Sequence, residues 1–406
     1  MFGVFVMAEL CFEYWSLPPE LSLLLDIVLR KAPQVPGDPD WERFDALLKQ
    51  HRLQPLLIRG LKTMDAADLD RFPVLQAYRD RQNQYVMESM ERLQALAEVS
   101  AALAREGIPM ISMKGPLLSM ELYGDPSLRT SRDLDVMVAQ EDLSRAGGVL
   151  TALGYVPEEN LFHKTPLRRK YYSLIEPEKH TVYNRGRICL ELHWKSNYQS
   201  EESFRDLWER REERQLLGRP IAVMGTVDRY PALIIHAAEH GFHRLRWLLD
   251  LYELQKKPSF SWERLHRQLS ERGLGALLLE TMLVMYRLDL PDLPDLEYPG
   301  LRLTRTPEGI RLSVDQAAEG RRAAALCEAV FPMWQGEARW GDPRQRVHDR
   351  LLPRSLIRKT PLQWFLIHFG PSVYELKLTD LPDPLFWLYF IIRPINWLRR
   401  KLRRIS

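Results

Sequence analysis

The run Arg129-Thr130-Ser131-Arg132-Asp133-Leu134-Asp135-Val136-Met137-Val138 sets two carboxylates two positions apart among apolar neighbours. In a strand, residues two apart share a face, so Asp133 and Asp135 project together while Leu134 and Val136 face the other way. Like charges held side by side repel, and the remedies are a shared cation, a shared proton or nearby arginine. Mg²⁺ suits such a pair, because it takes one or two carboxylates and fills its other positions with water and substrate phosphates. A second run, Ile188-Cys189-Leu190-Glu191-Leu192-His193-Trp194, repeats the logic: Glu191 and His193 share one face, Leu190 and Leu192 the other. A third carboxylate can thus face the first two across a sheet, with His193 as a ligand, a hydrogen-bond partner or a structural histidine. Upstream, Lys114-Gly115-Pro116 forms a turn where backbone amides and an ammonium can meet an anion at a helix N-terminus. Arg129 and Arg132 can fork onto phosphates or simply neutralise the acids. Together the parts make a phosphate cradle beside a three-carboxylate metal site.

Such residues need a sheet to position them. From about 20 to 107 the pattern is helical, with Val86, Met90, Leu93, Ala97 and Leu103 on one stripe and Gly107 as its stop. The extended run Ile108 to Met113, the Lys114-Gly115-Pro116 turn and a short helix ending at Gly124 read as strand, turn, helix. Leu134 to Val138 is a second strand, followed by a helix near 141 to 153 and by a third strand after the Asn184-Arg185-Gly186-Arg187 turn. Beyond about 225 the helical period returns, near 229 to 256 and 262 to 288, and a loop with Pro291, Pro294, Pro299 and Pro307 leads to later helices. The expectation is an α+β chain: an N-terminal helical region at 1–107, an α/β core at 108–225, a helical domain packing on it at 226–290, and a C-terminal helical region with a basic tail at 291–406.

The ordered set Met113-Lys114-Gly115, Leu122-Tyr123-Gly124-Asp125-Pro126, Arg129, Asp133-Leu134-Asp135 and Leu190-Glu191-Leu192-His193-Trp194 resembles the uncharacterised bacterial nucleotidyltransferase-like family of the polymerase-beta-type superfamily. The resemblance spans roughly residues 40 to 255. It implies a minimal nucleotidyltransferase mixed sheet with helices, in which Gly115 matches the turn, Asp133 and Asp135 the acidic pair, and Glu191 the third acid. The activity implied is two-metal transfer of a nucleoside monophosphate from an NTP, ATP among the candidates, to an acceptor, with release of pyrophosphate. Asp133 and Asp135 would hold Mg²⁺ or Mn²⁺, and Glu191 would ligate the acceptor-side ion or take the proton. Pro116 stands where the superfamily has Gly or Ser, and the connection from Gly115 to Asp133 is long, so the phosphates would be held differently, with Lys114 as a substitute.

Other features admit other chemistry. His236-Ala237-Ala238-Glu239-His240 spells H-x-x-E-H, which on a helix can hold Zn²⁺ in a peptidase. The competing expectation is that His240, His243, Arg244, Arg246 and Asp250 form a polar helical face closing over the acidic strands and meeting base, ribose or acceptor, or else an interhelical hydrogen-bond network. Cys189 reads as a small buried residue, and Cys11, Cys189 and Cys327 are too few for a disulfide framework or a four-thiolate zinc site. In 406 residues, 45% hydrophobic and 27% charged, a net charge of +3 excludes a disordered chain and a globally cationic nucleic-acid binder. No basic residue precedes Glu9 and no window of about 18 apolar residues exists, so neither a secretory signal nor a spanning helix is expected. A cytoplasmic protein is the expectation, with peripheral contact to the inner face of a membrane through 385–404, where Trp387, Tyr389 and Trp397 adjoin Arg393, Arg399, Arg400, Lys401, Arg403 and Arg404. The acceptor stays open: a small molecule, a peptide, a protein or RNA. A non-catalytic scaffold of the same fold, binding a nucleotide or a partner, is the alternative to an enzyme.

Overall fold

The computed structural model describes residues 8–32, 39–158, 165–175, 180–195, 203–240, 242–298, 300–315, 317–334, 362, 365–366 and 369–402. After strand β1 (Ala8–Phe12) come helices α1 (Pro19–Leu29), α2 (Trp41–His51) and α3 (Gln54–Leu61), then short helical turns and the long α4 (Gln82–Arg105). Asp40 caps α2 by accepting from the Glu42 and Arg43 amides. Gly107, at φ 67°, ends the chain segment that carries α4. The buried stripe of α4 differs from the expected one. It runs Ser89, Leu93, Leu96, Val99 and Leu103, while Val86 and Met90 are exposed. Ser89 belongs to it because its hydroxyl donates to the Pro126 carbonyl at 2.7 Å, a partner that hydrophobic periodicity does not reveal.

The mixed sheet follows. Its strands are β2 (Ile111–Ser112), β3 (Asp133–Met137), β4 (Val156–Pro157), β5 (His180–Arg185), β6 (Ile188–His193), β7 (Glu212–Leu216) and β8 (Arg219–Val223), in the order β4-β5-β6-β3-β2-β8-β7. β3 runs parallel to β6 and antiparallel to β2. Between them lie α5 (Pro116–Tyr123), α6 (Leu143–Ala152), α7 (Pro166–Ile175) and α8 (Phe204–Glu209). One sheet face buries Leu134, Val136, Tyr183, Leu190 and Leu192 in a core with α4 and α6. Strand alternation therefore turns the acids to the opposite face.

α9 (Thr226–Glu239), α10 (Leu245–Leu254), α11 (Trp262–Glu271) and α12 (Gly275–Arg287) complete the helical half with α1 to α3. The two expected segments near 229–256 and 262–288 are thus four helices. The first breaks where Phe242, fully buried, adopts φ 47° and lends its carbonyl to Trp334 Nε1; the second breaks at Gly273, φ 69°.

The proline-rich stretch expected as a loop instead carries β9 (Leu296–Tyr298) and β10 (Leu301–Thr306), which with β11 (Gly309–Val314) and β1 form a second, antiparallel sheet ordered β1-β11-β10-β9. The region expected to be helical from 291 on therefore opens with strands, and the N-terminal region lends one of its own. Leu301, Leu303, Ile310, Leu312 and Val314 alternate inward, and Pro294 and Pro307 lie outside the strands. Gly309 is required where it stands, since a Cβ there would lie 2.0 Å from the Phe12 carbonyl oxygen. Helix α13 (Ala317–Trp334) packs beside this sheet, and a tight helical turn at Asp383–Leu388 and the following α14 (Tyr389–Leu402) pack through Phe386 and Tyr389 onto Tyr171 of α7. The architecture is mixed α+β.

Candidate active site

Parallel pairing of β3 with β6 puts Asp133 beside Cys189, Asp135 beside Glu191 and Met137 beside His193, all on the face away from the Leu134–Leu190 core. The three acids thus share one wall of a cavity of about 580 Å³, which Lys114, Arg129, Arg132 and His193 also line. The opposite sign dominates much of the remaining wall. Arg52 comes from the left-handed end of α2, Arg244 and Arg246 from the start of α10, and Arg229 from α9.

The carboxylates differ in their surroundings. Asp135 is 5% exposed, and burial alone would raise its proton affinity. Lys114 Nζ at 3.8 Å and His193 Nε2 at 3.3 Å outweigh burial and hold the carboxyl well below the usual range. At Glu191 burial again acts upward, and the hydrogen bond from His193 Nε2 at 3.1 Å wins, lowering it. Asp133 goes the other way: burial, then repulsion by Asp135 and Glu191, raise it, although Ser131 Oγ donates to it at 3.1 Å. His193 is raised, because its bonds to Asp135 and Glu191 overcome burial. The three acids face one cavity under mutual repulsion, and their carboxylate oxygens are of the kind Mg²⁺ and Mn²⁺ prefer, but among the described residues their donor atoms do not all converge within 4.8 Å of one another.

The cationic wall is self-repelling. Burial and then Arg244 and Arg132 lower Arg52 to about 10, and burial followed by Arg132 lowers Arg244. Burial and Arg129 bring Arg246 to about 9, while its guanidinium reaches the Thr130 carbonyl and hydroxyl. Among the described residues no carboxylate forms an ion pair with Arg52, Arg132 or Arg244, which line the cavity, and Asp133 attracts Arg52 and Arg244 from beyond that distance.

A model of a family described as uncharacterised nucleotidyltransferase matches residues 37–288, more than half of the chain. The chain belongs to that nucleotidyltransferase family. Two solved structures of ANT(2'')-Ia are similar over part of it. One is the solution structure of that antibiotic-resistance factor, at 14% identity and TM-score 0.32 over 45% of this chain and 91% of that one. The other is the crystal structure of ANT(2'')-Ia in complex with adenylyl-2''-tobramycin, at 13% identity and TM-score 0.27 over 47% of this chain and 97% of that one. A search of curated proteins gives no match.

In this family member the turn carrying Gly115 departs from a bare amide cradle. Gly115 adopts φ 79°, which favours glycine, and Pro116 opens α5 without an N–H to offer. Lys114 turns its ammonium to Asp135 and to His236 Nδ1, 3.3 Å away. Asp250, expected to meet a ligand, instead stands 1% exposed behind the cavity. One of its oxygens accepts from Arg129 Nε at 2.9 Å and the other from the Tyr123 hydroxyl at 2.8 Å, so it anchors Arg129. His240 and His243 do line the cavity, packed against Trp247.

The H-x-x-E-H stretch brings the rings of His236 and His240 to 4.7 Å. Among the described residues no convergent set of three metal donors includes either histidine, and the Glu239 side chain lies outside the description. Three ionisable cavity residues, Arg52, His180 and Arg229, escaped the sequence reading. Arg52 arrives from a distant helix end and has no local signal. His180 does have one: counting back from the Arg185-Gly186 hairpin places it directly across from His193.

Proposed function

We propose that the protein is a metal-dependent nucleotidyltransferase that moves a nucleoside monophosphate from an NTP to an acceptor and releases pyrophosphate. The observation that carries this is the meeting of opposite charges in one cavity, lined by Asp133, Asp135 and Glu191 on the sheet face and by Arg52, Arg132 and Arg244, none of which forms an ion pair among the described residues. A polyphosphate accompanied by divalent cations matches both walls at once. Asp133, Asp135 and Glu191 are the residues that would hold Mg²⁺ or Mn²⁺, which when bound neutralises phosphate charge and acidifies an acceptor hydroxyl.

The remaining work falls to this chain's own side chains. Arg52, Arg132 and Arg244 offer planar forks to the phosphate oxygens, and their mutual repulsion is relieved as those oxygens arrive. Lys114 supplies the positive charge that the Pro116 turn lacks as amides. His193 holds Glu191 in its charged form, which supports its role as ligand to the acceptor-side ion or as acceptor of the proton. Asp250 and Tyr123 keep Arg129 oriented.

The test is incubation of the purified protein with each labelled NTP, Mg²⁺ and cell extract. A labelled product of defined size class, formed by wild type and lost in Asp133→Asn, is the expected result, and that size class identifies the acceptor as a small molecule, peptide, protein or RNA. Nucleotide binding with no labelled acceptor would favour the scaffold reading, for which the neutralisation of Asp135 by Lys114 and His193 speaks. No described helix is long and apolar enough to cross a membrane. Peripheral contact remains part of the proposal, supported by Trp387, Ile391 and Ile395, exposed and four residues apart beside a basic segment.

A further inference from the structure

A second donor set adjoins the acids and differs from them in chemistry. His180 lies at the start of β5, directly across the antiparallel ladder from His193, with ring centroids 4.8 Å apart. Glu191 sits beside both. Its Oε2 is 3.1 Å from His193 Nε2 and 3.8 Å from His180 Nε2. Asp135 Oδ1 is 3.3 Å from the same His193 nitrogen.

Donor atoms about 2.1 Å from one cation stand about 3.0 Å apart in an octahedron and about 3.4 Å apart in a tetrahedron. The Glu191–His193 and Asp135–His193 separations already fall in or near that range. His180 Nε2, at 3.8 Å from Glu191 Oε2, and the three donors together, within 4.8 Å of one another, must draw closer for one cation to join them. Among the described residues, His180, Glu191 and His193 are the one group of three His, Cys, Asp or Glu side chains whose donors converge within 4.8 Å. Asp133 is outside it. Glu191 is therefore flanked by oxygen donors on β3 and by nitrogen donors on β5 and on its own strand β6.

We propose that His180, Glu191 and His193, with Asp135 at their edge, form a transition-metal site of the zinc class, distinct from the all-oxygen site at Asp133 and Asp135. Imidazole nitrogens suit Zn²⁺ and Co²⁺ and are poor ligands for Mg²⁺, whereas two aspartates and phosphate oxygens suit Mg²⁺. The proposal deepens the nucleotidyltransferase reading through the shared Glu191, but metal alone, without nucleotide, tests it.

The experiment titrates Zn²⁺ by calorimetry into the chelator-treated full-length protein, wild type and variants. One equivalent should bind to wild type, with affinity at least about tenfold weaker in His180→Ala and in His193→Ala. Asp133→Asn should keep Zn²⁺ affinity within about threefold while losing binding of the Mg²⁺–NTP complex. Absence of transfer by the wild-type protein with Zn²⁺ binding intact would strike the enzyme reading and leave this site standing, whereas loss of transfer in Asp133→Asn alone agrees with both. Co²⁺ added to wild-type protein should shift two histidine ring resonances in NMR spectra, a readout that survives if a variant misfolds. Zn²⁺ binding that is absent, or unchanged in both histidine variants, or Co²⁺ that shifts no histidine ring, would overturn the proposal and leave the two histidines as hydrogen-bonding partners of Glu191.

Discussion

Asp133 is the acid in the cavity whose proton affinity rises on folding, because burial and two neighbouring carboxylates act on it together. Replacing it with asparagine removes one of three like charges, so Asp133→Asn should leave the melting temperature unchanged or raised, while transfer falls about 10²- to 10⁴-fold if several kcal/mol of charge stabilisation are lost. Thermal melts and a labelled-NTP assay read the two effects separately, and a variant that both melts early and loses activity would mean the acid is structural. The guanidinium wall predicts a similar split. Arg244→Ala should weaken binding of inorganic tripolyphosphate by about tenfold to a hundredfold, as loss of a charged hydrogen bond of about 1.5–3 kcal/mol does, without lowering stability. Undiminished tripolyphosphate binding in calorimetry would remove Arg244 from the phosphate path. Asp250 belongs to the opposite class. Asp250→Asn leaves a buried guanidinium without its counter-charge, and denaturant midpoints should show a loss of about 3–5 kcal/mol.

At the scale of elements, His51 ties three helices together. Its Nδ1 accepts from the Leu245 amide at the start of α10, and its Nε2 contacts the Trp334 carbonyl at the end of α13, so the ring at the end of α2 is neutral. Burial, aided by His243 and Arg244 against the pull of the Trp334 carbonyl, lowers it to about 4. The unfolded chain takes up this proton near pH 6.5 and the folded chain does not, so the stabilisation is complete above that pH and is lost as pH falls toward 4. Between pH 8 and pH 5 the loss is about 2 kcal/mol. His51→Gln should flatten that part of the pH profile in urea titrations, and an identical slope in both proteins would assign the effect elsewhere.

The same scale shows what could be read in advance. β3 and β6 were legible because Leu134, Val136, Leu190 and Leu192 keep strict alternation, and alternation fixes which face the acids occupy. The second sheet was not, since Pro291, Pro294, Pro299 and Pro307 mask the Leu301–Leu303 and Ile310–Val314 pattern and its fourth strand lies some 300 residues away. The stripe of α4 was misplaced by one hydroxyl partner, and the cationic wall was only half visible because Arg52 meets Arg244 through tertiary packing alone.

For the whole molecule, the turn at Asp383–Leu388 and the last described helix leave Trp387, Ile391 and Ile395 exposed while Phe386 and Tyr389 anchor them on α7. Serine at those three exposed positions keeps the anchor and should abolish flotation with anionic vesicles if this face meets lipid, with zwitterionic vesicles as the control. Flotation equal to wild type would exclude the face.

The strand at Ala8–Phe12 has its partner at Gly309–Val314. On a ribosome adding roughly 5–20 residues per second, that strand waits roughly 15–60 s for its mate to emerge. Throughout that interval its backbone edge is open to any passing chain. Newly made protein is thus most vulnerable before its last third exists, and anything that slows translation there should increase the insoluble fraction long before it touches the cavity.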